Sequence, residues 1–552
     1  MKLSKRILSL AMCTALIASL AACGGSTGTT SSTAGSTGGS STAASSTAPA
    51  GSEAQPAAEK DYSKKQVITL ASVQIKDGAD YTYGDDFVTW WAEKYNIEWD
   101  ITSLTWDNWA ERLRIWINSD DMPDMGVWNY LHGEAANYVD QGLVKKFPDN
   151  WKEQWPNLAA AYQDTVMNEG IEEIFDGTYY LFRPVFSGNR PAEKLSPHMT
   201  LYVREDWAKA ANYELKDAMK LSELVDYFAA VKEADPGNVG ANFYPLVVRG
   251  GNMGNVMQLA STYSGVGGTP YYLGDDGAYQ WGPANEDTLA GLKLYSQMYR
   301  EGLLHPEFYT LQDPDDKAEF YMTGRSAGMI AEGMAAAMTQ NKNHMQNYLS
   351  IDWDEVVRPV TVLGEDGKYH GNVVTNFWAA NIFSPHIEDE KFERLMDMMD
   401  YASTEEGQML IRMGFEGTDW ERGANGELFS LLEEGIVLND KYNIHPVYGN
   451  LFILSDDFQF ISPYFYENHR AKVKEMYLLR ESLSDDKSLP AEPDWNVHFH
   501  DSQALNLASM VYSDEYASLV VKDGDIEANW QAWVNEKMNM IQPVLDELNA
   551  KR

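Results

Sequence analysis

The chain has 552 residues, 44% of them hydrophobic, and its 82 acidic side chains outnumber 43 basic ones to give a formal net charge of −39. So acidic a chain repels nucleic acid and anionic lipid surfaces, which excludes nucleic acid as a partner. The charge argues less strongly against polyanionic ligands, because an acidic surface also serves to keep proteins soluble.

Residues 1–22 have the pattern of a secretory signal peptide. Three basic residues precede an apolar stretch at 7–20, and two alanines follow it. That stretch is short for a membrane span, which takes about 20 residues. The segment LAAC at 20–23 resembles the bacterial lipobox, which implies a diacylglycerol on the Cys23 thiol and cleavage before this residue. The alternative is an ordinary secreted protein with an incidental cysteine.

Residues 23–60 follow as a lipidated cysteine and a tether. The stretch is almost entirely Gly, Ser, Thr and Ala, so it has no apolar surface to bury and is expected to stay disordered. A flexible chain of this length has an end-to-end distance of roughly 30–35 Å. We therefore expect a body held on the extracellular face of the cell membrane of a Gram-positive bacterium, anchored only by the lipid on Cys23.

The body, residues 61–552, is too long for one ordinary domain, so at least two lobes are expected. The chain has two cysteines, Cys13 and Cys23. If the first leaves with the signal peptide and the second carries lipid, the body has no disulfide, cysteine–metal site or cysteine nucleophile. Its stability must then come from a large hydrophobic core.

Strand and helix patterns alternate along the body. The segment QVITLASV at 66–73 is typical of a strand, DFVTWWAEKY at 86–95 of an amphipathic helix, and IEWDITSL at 97–104 of a second strand. WAERLRIWIN and MGVW then repeat the scheme, and the Gly-Asp-Asp-Gly and Gly-Glu-Asp-Gly segments at 274–277 and 364–367 predict hairpin turns. This alternation predicts an α/β fold with a mostly parallel sheet.

Five segments carry a family resemblance, in the order in which that family has them. They are INSDDMPDM at 117–125, LYVREDWAKA at 201–210, FYMTGRSAGMI at 320–330, MMDYASTEEGQMLIRMGFEGTDW at 398–420 and LVVKDGDIEANWQAWVNEKMN at 519–539. Together they resemble the carbohydrate-binding extracellular solute-binding proteins (family 1 type) of ABC importers, and among these the long LipO-like lipoproteins.

The resemblance implies a two-lobed, periplasmic-binding-protein-like fold of type II, with hinge strands between the lobes and the ligand in the interlobe cleft. One lobe would hold 61–183 and 373–455, the other 184–372 and 456–552. The implied function is that of a monomeric receptor, not an enzyme, which captures an oligosaccharide and delivers it to the transmembrane subunits of an ABC permease. A receptor for peptides or another non-sugar solute remains an alternative, and a cell-surface glycosidase is a further one without any motif in its favour.

No cofactor or metal site is predicted. Many long members of the family carry a calcium-binding loop, but here the matching stretch at 235–246 has Phe243 and Tyr244 in place of an acidic pair. Calcium takes six to eight oxygen ligands, several of them carboxylate, which this loop lacks. His498 and His500, in HFH, have a spacing that predicts a surface strand or loop rather than a metal site.

Aromatic residues in loops at strand ends are the candidates for a sugar site, because α/β folds place their ligands there. Sugars stack their C–H faces on aromatic rings and pair their hydroxyls with Asp, Asn, Arg and similar groups. Packing or hinge support is the alternative for each ring. The candidate ligand-binding residues are Tyr81, Tyr83, Trp128, Asn129, Arg249, Glu332, Trp378, Asp419 and Trp420.

Overall fold

The structure is a computed structural model that describes residues 60–73, 85–105, 108–129, 134–163, 168–184, 199–248, 270–311, 317–370, 377–433, 436–442, 458–485 and 494–552. The chain divides into two units at 60/61, and residues 61–552 form the compact body. None of the helices described in these ranges is long and apolar enough to cross a membrane. The predicted signal peptide, Cys23 and nearly all of the tether lie outside the described residues.

Most described strands belong to one of two larger sheets. The strands are β1 (Gln66–Val73), β2 (Ile97–Leu104), β3 (Met125–Asn129), β4 (Leu181–Pro184), β5 (Met199–Arg204), β6 (Ala218–Lys220), β7 (Tyr271–Leu273), β8 (Tyr279–Trp281), β9 (Gly328–Glu332), β10 (Val357–Leu363), β11 (Phe377–Phe383), β12 (Trp420–Arg422) and β13 (Leu428–Ser430).

Helices cover the sheets and connect their strands. They are α1 (Asp86–Tyr95), α2 (Trp109–Asn118), α3 (Glu134–Asp140), α4 (Trp151–Gln154), α5 (Pro156–Gln163), α6 (Asn168–Phe175), α7 (Glu205–Ala210), α8 (Leu221–Ala234), α9 (Glu286–Arg300), α10 (Ala335–Leu349), α11 (Trp353–Val356), α12 (Asp389–Ala402), α13 (Glu405–Met413), α14 (Leu438–Lys441), α15 (Phe458–Ile461), α16 (Glu467–Ser482), α17 (Trp495–His498), α18 (Gln503–Leu507), α19 (Tyr512–Val521) and α20 (Ile526–Ala550).

The first sheet has five strands in the order β2-β1-β3-β11-β4. Strands β1, β2 and β3 run parallel, joined through α1 and α2, whereas β11 runs antiparallel to both β3 and β4. Asp124, from the motif DDMPDM, lies in the turn that precedes β3. Its carboxylate accepts hydrogen bonds from Thr69 N (2.9 Å) on β1 and from Lys391 Nζ (3.0 Å) on α12. The motif thus ties the turn before β3 to two neighbouring elements.

The second sheet has four strands in the order β6-β10-β5-β9. Strand β5 is antiparallel to β9 and β10, and β6 is parallel to β10. Of the two predicted hairpins, the first forms from β7 and β8. At the second, Gly364 N donates to the carbonyl of Lys368 and Gly367 N to that of Gly364, both at 2.9 Å, so the predicted turn is present. The returning stretch at 371–376 lies outside the described residues, and the strand pairing of this hairpin stays a prediction.

Each of the two sheets has its own hydrophobic core. The first core draws on residues 68–181 and 379–442, and the second on 201–369 and 473–548. We call the elements around the first core the first lobe and those around the second core the second lobe. The chain therefore passes between the lobes three times. The predicted boundaries at 183/184, 372/373 and 455/456 fall in or next to segments that the structure does not describe, so they stay predictions.

Candidate functional site

One edge of the first sheet collects the ends of four strands. Because β1, β2, β3 and β4 point the same way, their last residues, Val73, Leu104, Asn129 and Pro184, share an edge with Phe377, the first residue of β11. After β4 and before β11 the chain passes to and from the second lobe. Ligands of open α/β sheets bind outside such carboxyl ends, so this edge is the first place to look for a site.

Three predicted site residues lie on adjacent strands at this edge. Trp128 pairs with Ala380, and Asn129 pairs with Ala379. Trp378 is two residues before Ala380 on the same strand, so its backbone lies next to the end of β3. The fold thus brings together residues that are 250 positions apart, although their side chains lie outside what is described.

Three other predicted site residues, Tyr81, Tyr83 and Arg249, fall outside the described residues. Tyr81 and Tyr83 belong to the segment that leaves the carboxyl end of β1 and leads to α1. Arg249 directly follows Val248, which is fully buried in the second core. The roles of Tyr81, Tyr83 and Arg249 in the site stay predictions.

Glu332 lies at a strand end of the second sheet. It is the last residue of β9 and pairs with Met199, the first residue of β5 after the chain enters the second lobe. Its backbone carbonyl accepts a hydrogen bond from the hydroxyl of Tyr202 (2.8 Å). The hydrogen bond fixes the end of β9, and the half-buried side chain of Glu332 therefore stands on a rigid position.

Trp420 belongs to a turn that packs beneath the surface. Its side chain is only 3% exposed and packs with Met413 and Phe458. The indole N–H donates to the carbonyl of Gly414 (3.1 Å). These contacts agree with the packing alternative that the sequence left open for loop aromatics. A ligand role for Trp420 stays a prediction, and it has less support than the same role for the residues at the sheet edge.

Asp419 is fully buried and organises the same turn. Its carboxylate accepts hydrogen bonds from the backbone N–H of Phe415 (2.7 Å) and from the hydroxyl of Tyr442 (2.9 and 3.0 Å), and it forms an ion pair with Lys441. Burial and the neighbouring Asp419 carboxylate raise the pKa of Tyr442 well above its ordinary value, so this hydroxyl stays a donor. Sequence analysis missed Lys441 and Tyr442, because nothing local to them signals a partner over twenty residues away.

The turn that holds Asp419 packs against the beginning of α1. The ring of Phe87 lies 5.6 Å from that of Phe415 and 5.5 Å from that of Tyr442. Asp85 caps α1 by accepting the backbone N–H of Phe87 (2.8 Å). Since α1 follows the segment with Tyr81 and Tyr83, the Asp419 turn supports the place where that segment re-enters the fold.

The loop at 235–246 is held together by protein groups. The two carboxylate oxygens of Asp235 accept the backbone N–H groups of Val239 and Gly240, both at 2.8 Å. Phe243 is 2% exposed and packs edge-on against Trp207, with ring centroids 5.6 Å apart. Within the described part of the chain, no three or more His, Cys, Asp or Glu side chains come together as a metal site. The absence of calcium binding stays a prediction.

His498 and His500 correct a prediction of the sequence analysis. His498 is the last residue of α17 and half-buried, and His500 follows the helix in a loop, as predicted, but is only 4% exposed instead of lying at the surface. Its Nε2 pairs with Glu547 of α20 at 3.0 Å. The polar sequence around the two histidines did not indicate this burial, because the residue that pairs with His500 comes from a distant helix.

No model of a protein family matches this sequence, and no curated protein matches it. Solved structures do match. The alginate-binding protein AlgQ2, solved without calcium ion, is 14% identical with a TM-score of 0.62, over 88% of this chain and 98% of that one. The Streptococcus pneumoniae ABC-transporter substrate-binding protein FusA, in complex with kestose, is 15% identical with a TM-score of 0.62, over 88% and 98%. The Streptococcus pneumoniae N-glycan transport solute-binding protein NgtS, in complex with Man5GlcNAc, is 14% identical with a TM-score of 0.53, over 88% and 97%.

These similarities extend over nearly the whole length of each neighbour, which establishes the fold. The predicted α/β, two-lobed fold of solute-binding proteins is confirmed. The names of these neighbours state alginate binding, a complex with kestose and N-glycan transport, in agreement with the resemblance seen in the sequence.

Proposed function

We propose that this chain is a lipid-anchored extracellular solute-binding protein, which captures an oligosaccharide and delivers it to the membrane permease of an ABC transporter. The observation that carries the proposal is the match to three proteins whose names state a carbohydrate ligand, over 97–98% of their own lengths. In this function no reaction is catalysed. The ligand acts by binding one arrangement of the lobes more tightly than the others and thereby shifting their populations.

A neutral oligosaccharide suits this chain better than a polyanionic one. The formal net charge of −39 opposes the approach of a polyanion, whereas it has no first-order effect on a neutral sugar. Trp128, Asn129 and Trp378, brought onto adjacent strands, offer the residue types that a neutral sugar needs. Rings would stack on its C–H faces, and the amide would pair with its hydroxyls.

The lipid anchor rests on the sequence LAAC at 20–23. A thioether-linked lipid on Cys23 would hold the body near the permease, while the tether allows it to reposition. Replacement of Cys23 by alanine should release the protein from the membrane fraction and abolish its lipidation. A Cys23→Ala protein that is still lipidated and processed at the same place would contradict the anchor.

A binding screen tests the receptor function. The full chain is titrated by calorimetry and thermal shift with neutral oligosaccharides, uronate oligosaccharides, monosaccharides and peptides, and the solutions are then checked for products. Saturable binding of a neutral oligosaccharide without turnover supports the proposal. Peptide binding would instead identify a receptor for another solute, and product formation would identify a glycosidase.

A further inference from the structure

Residues 494–501, which we call the brace, contact both hydrophobic cores although they comprise little more than the short helix α17. Val497 is 7% exposed and belongs to the second core. Trp495 and Phe499, which flank it at a spacing of two, pack against the first core instead. Within the described residues, the brace therefore connects the lobes at a place separate from the three passages of the chain between the two cores.

The brace is fixed firmly to the second lobe. Asp494 caps α17 through the backbone N–H of Asn496 (2.9 Å) and accepts the hydroxyl of Tyr279 on β8 (2.7 Å). Buried His500 lies between Glu547, 3.0 Å from its Nε2, and Lys551, 2.8 Å from its Nδ1. An ammonium group can only donate, so Nδ1 accepts from Lys551 and the Nε2–H donates a hydrogen bond to the carboxylate of Glu547.

The contact of the brace with the first lobe is small. The ring of Phe499 meets that of Phe175 on α6 edge-on, with centroids 5.3 Å apart and an interplanar angle of 70°. Trp495 supports Phe499 from behind by stacking, at 5.7 Å and 26°. Asn137 on α3 donates a hydrogen bond to the carboxylate of Asp501, and both of these residues are exposed. Trp495 and Phe499 are only half-buried against the first core, and the hydrogen bond of Asn137 is exposed, so these contacts can separate without removing a buried residue from either core.

We propose that the brace is a clasp that sets the equilibrium between arrangements of the two lobes. It is rigid on one lobe and weakly attached to the other, so a rotation of the lobes breaks the contacts of Phe499 and Asp501 while Asp494 and His500 stay in place. Contacts of this kind change an equilibrium by about three- to tenfold. This contribution raises or lowers the affinity of any ligand that binds one arrangement of the lobes preferentially. The inference rests on the proposed function only in taking the lobes to move.

The experiment measures the distance between the lobes without any sugar. In the full chain with both native cysteines replaced by serine, spin labels are placed at Glu393→Cys on α12 and Lys474→Cys on α16, two exposed helix positions. Pulsed electron resonance then gives the distribution of distances. We expect Asn137→Asp, which sets two carboxylates against each other, to shift or broaden the distribution. Adding Asp501→Lys should restore it.

Phe499→Ala removes the ring contact and should change the distribution further, whereas Phe429→Ala, at a half-exposed ring on β13 of the first lobe, is the matched control and should not. A wild-type distribution in both Asn137→Asp and Phe499→Ala would overturn the clasp, as would a change in Asn137→Asp that Asp501→Lys does not reverse. Since Asn137 is exposed, its variant stays informative if Phe499→Ala folds poorly. The outcome is independent of whether the chain binds a sugar.

Discussion

Two turns of this molecule are each organised by one aspartate, and they differ in where that aspartate lies. In the first lobe, Asp419 is fully buried and is contacted by Phe415 N, Tyr442 and Lys441. In the second lobe, Asp235 is half-buried and accepts only two backbone N–H groups of its own loop. The same side chain therefore joins distant segments in one lobe and closes a local loop in the other.

The difference teaches that burial sets the consequence of losing such a carboxylate. Removing a buried acceptor leaves its donors unpaired in a medium that cannot replace it, whereas water replaces an exposed one. The Asp419 turn also packs against the beginning of α1, while the Asp235 loop is packed through the rings of Trp207 and Phe243. The two turns should respond differently to substitution.

The largest effect is expected for Asp419→Ala. The substitution leaves Lys441, Tyr442 and the N–H of Phe415 without their common acceptor, so the free energy of unfolding should fall by about 3–5 kcal/mol. Urea unfolding followed by circular dichroism measures it, with Asp235→Ala as the matched control. A loss below about 1 kcal/mol would mean that water reaches the turn.

A second prediction separates buried and edge tryptophans. Trp420→Ala should lower the free energy of unfolding by about 3–5 kcal/mol, because its ring is buried. Trp128→Ala and Trp378→Ala should fold nearly normally and lose about 2 kcal/mol of binding, roughly thirtyfold in Kd for the best oligosaccharide. Melting temperature without ligand and Kd are measured together. Unchanged affinity in both edge variants, or collapse of folding in both, would remove them from the site and move attention to Tyr83.

Acid titration extends the comparison to Asp354, a carboxylate of the second lobe that forms an ion pair with Lys342. Burial opposes its ionisation, but hydrogen bonds from His469 and Lys342 prevail and hold the pKa of Asp354 well below its ordinary value. Such a group adds stability above its unfolded pKa of about 3.9 and loses it as pH falls toward the folded pKa. Asp354→Asn should therefore lose less stability than wild type between neutral pH and about pH 3. Equal losses in urea midpoint would contradict this.

The smallest effects are expected at the Asp235 loop. Asp235→Ala removes two partly solvated hydrogen bonds and should cost about 1 kcal/mol.

Calcium should leave the melting temperature of the wild-type protein unchanged relative to chelator. A bound ion would stabilise it by about 2.7 kcal/mol at a hundredfold excess over Kd, so a saturable shift would contradict the prediction that this loop binds no metal.

Local pattern was enough to predict the repeating units of the fold. The alternation through β1, α1, β2, α2 and β3 could be predicted because the hydrophobic period of each segment matches the element it forms. The same pattern could not tell that β10 would pair with β5 and β6, two strands from much earlier in the chain. Strand pairing depends on which segments meet in space, and a hydrophobic period does not contain that information.

The candidate site shows the same division between local and long-range information. Its residue types and their positions at strand ends could be proposed from the order of elements, and the register of β3 with β11 then placed Trp128 and Asn129 beside the strand that holds Trp378. The pairing of Asp419 with Lys441 and of His500 with Glu547 could not be proposed, because each partner lies over twenty residues away and has no local signature.

By itself, the sequence determined the acidic charge, the helix and strand periods, the resemblance of LAAC at 20–23 to a lipobox and that of five ordered segments to a family, since each depends on neighbouring residues. Only the tertiary structure decided that Trp420 is buried, that Asp419 meets Lys441, and that Phe499 leaves its own lobe to contact Phe175. Burial and long-range pairing arise from the packing of whole elements, in which side chains that are distant in the chain compete for the same neighbours.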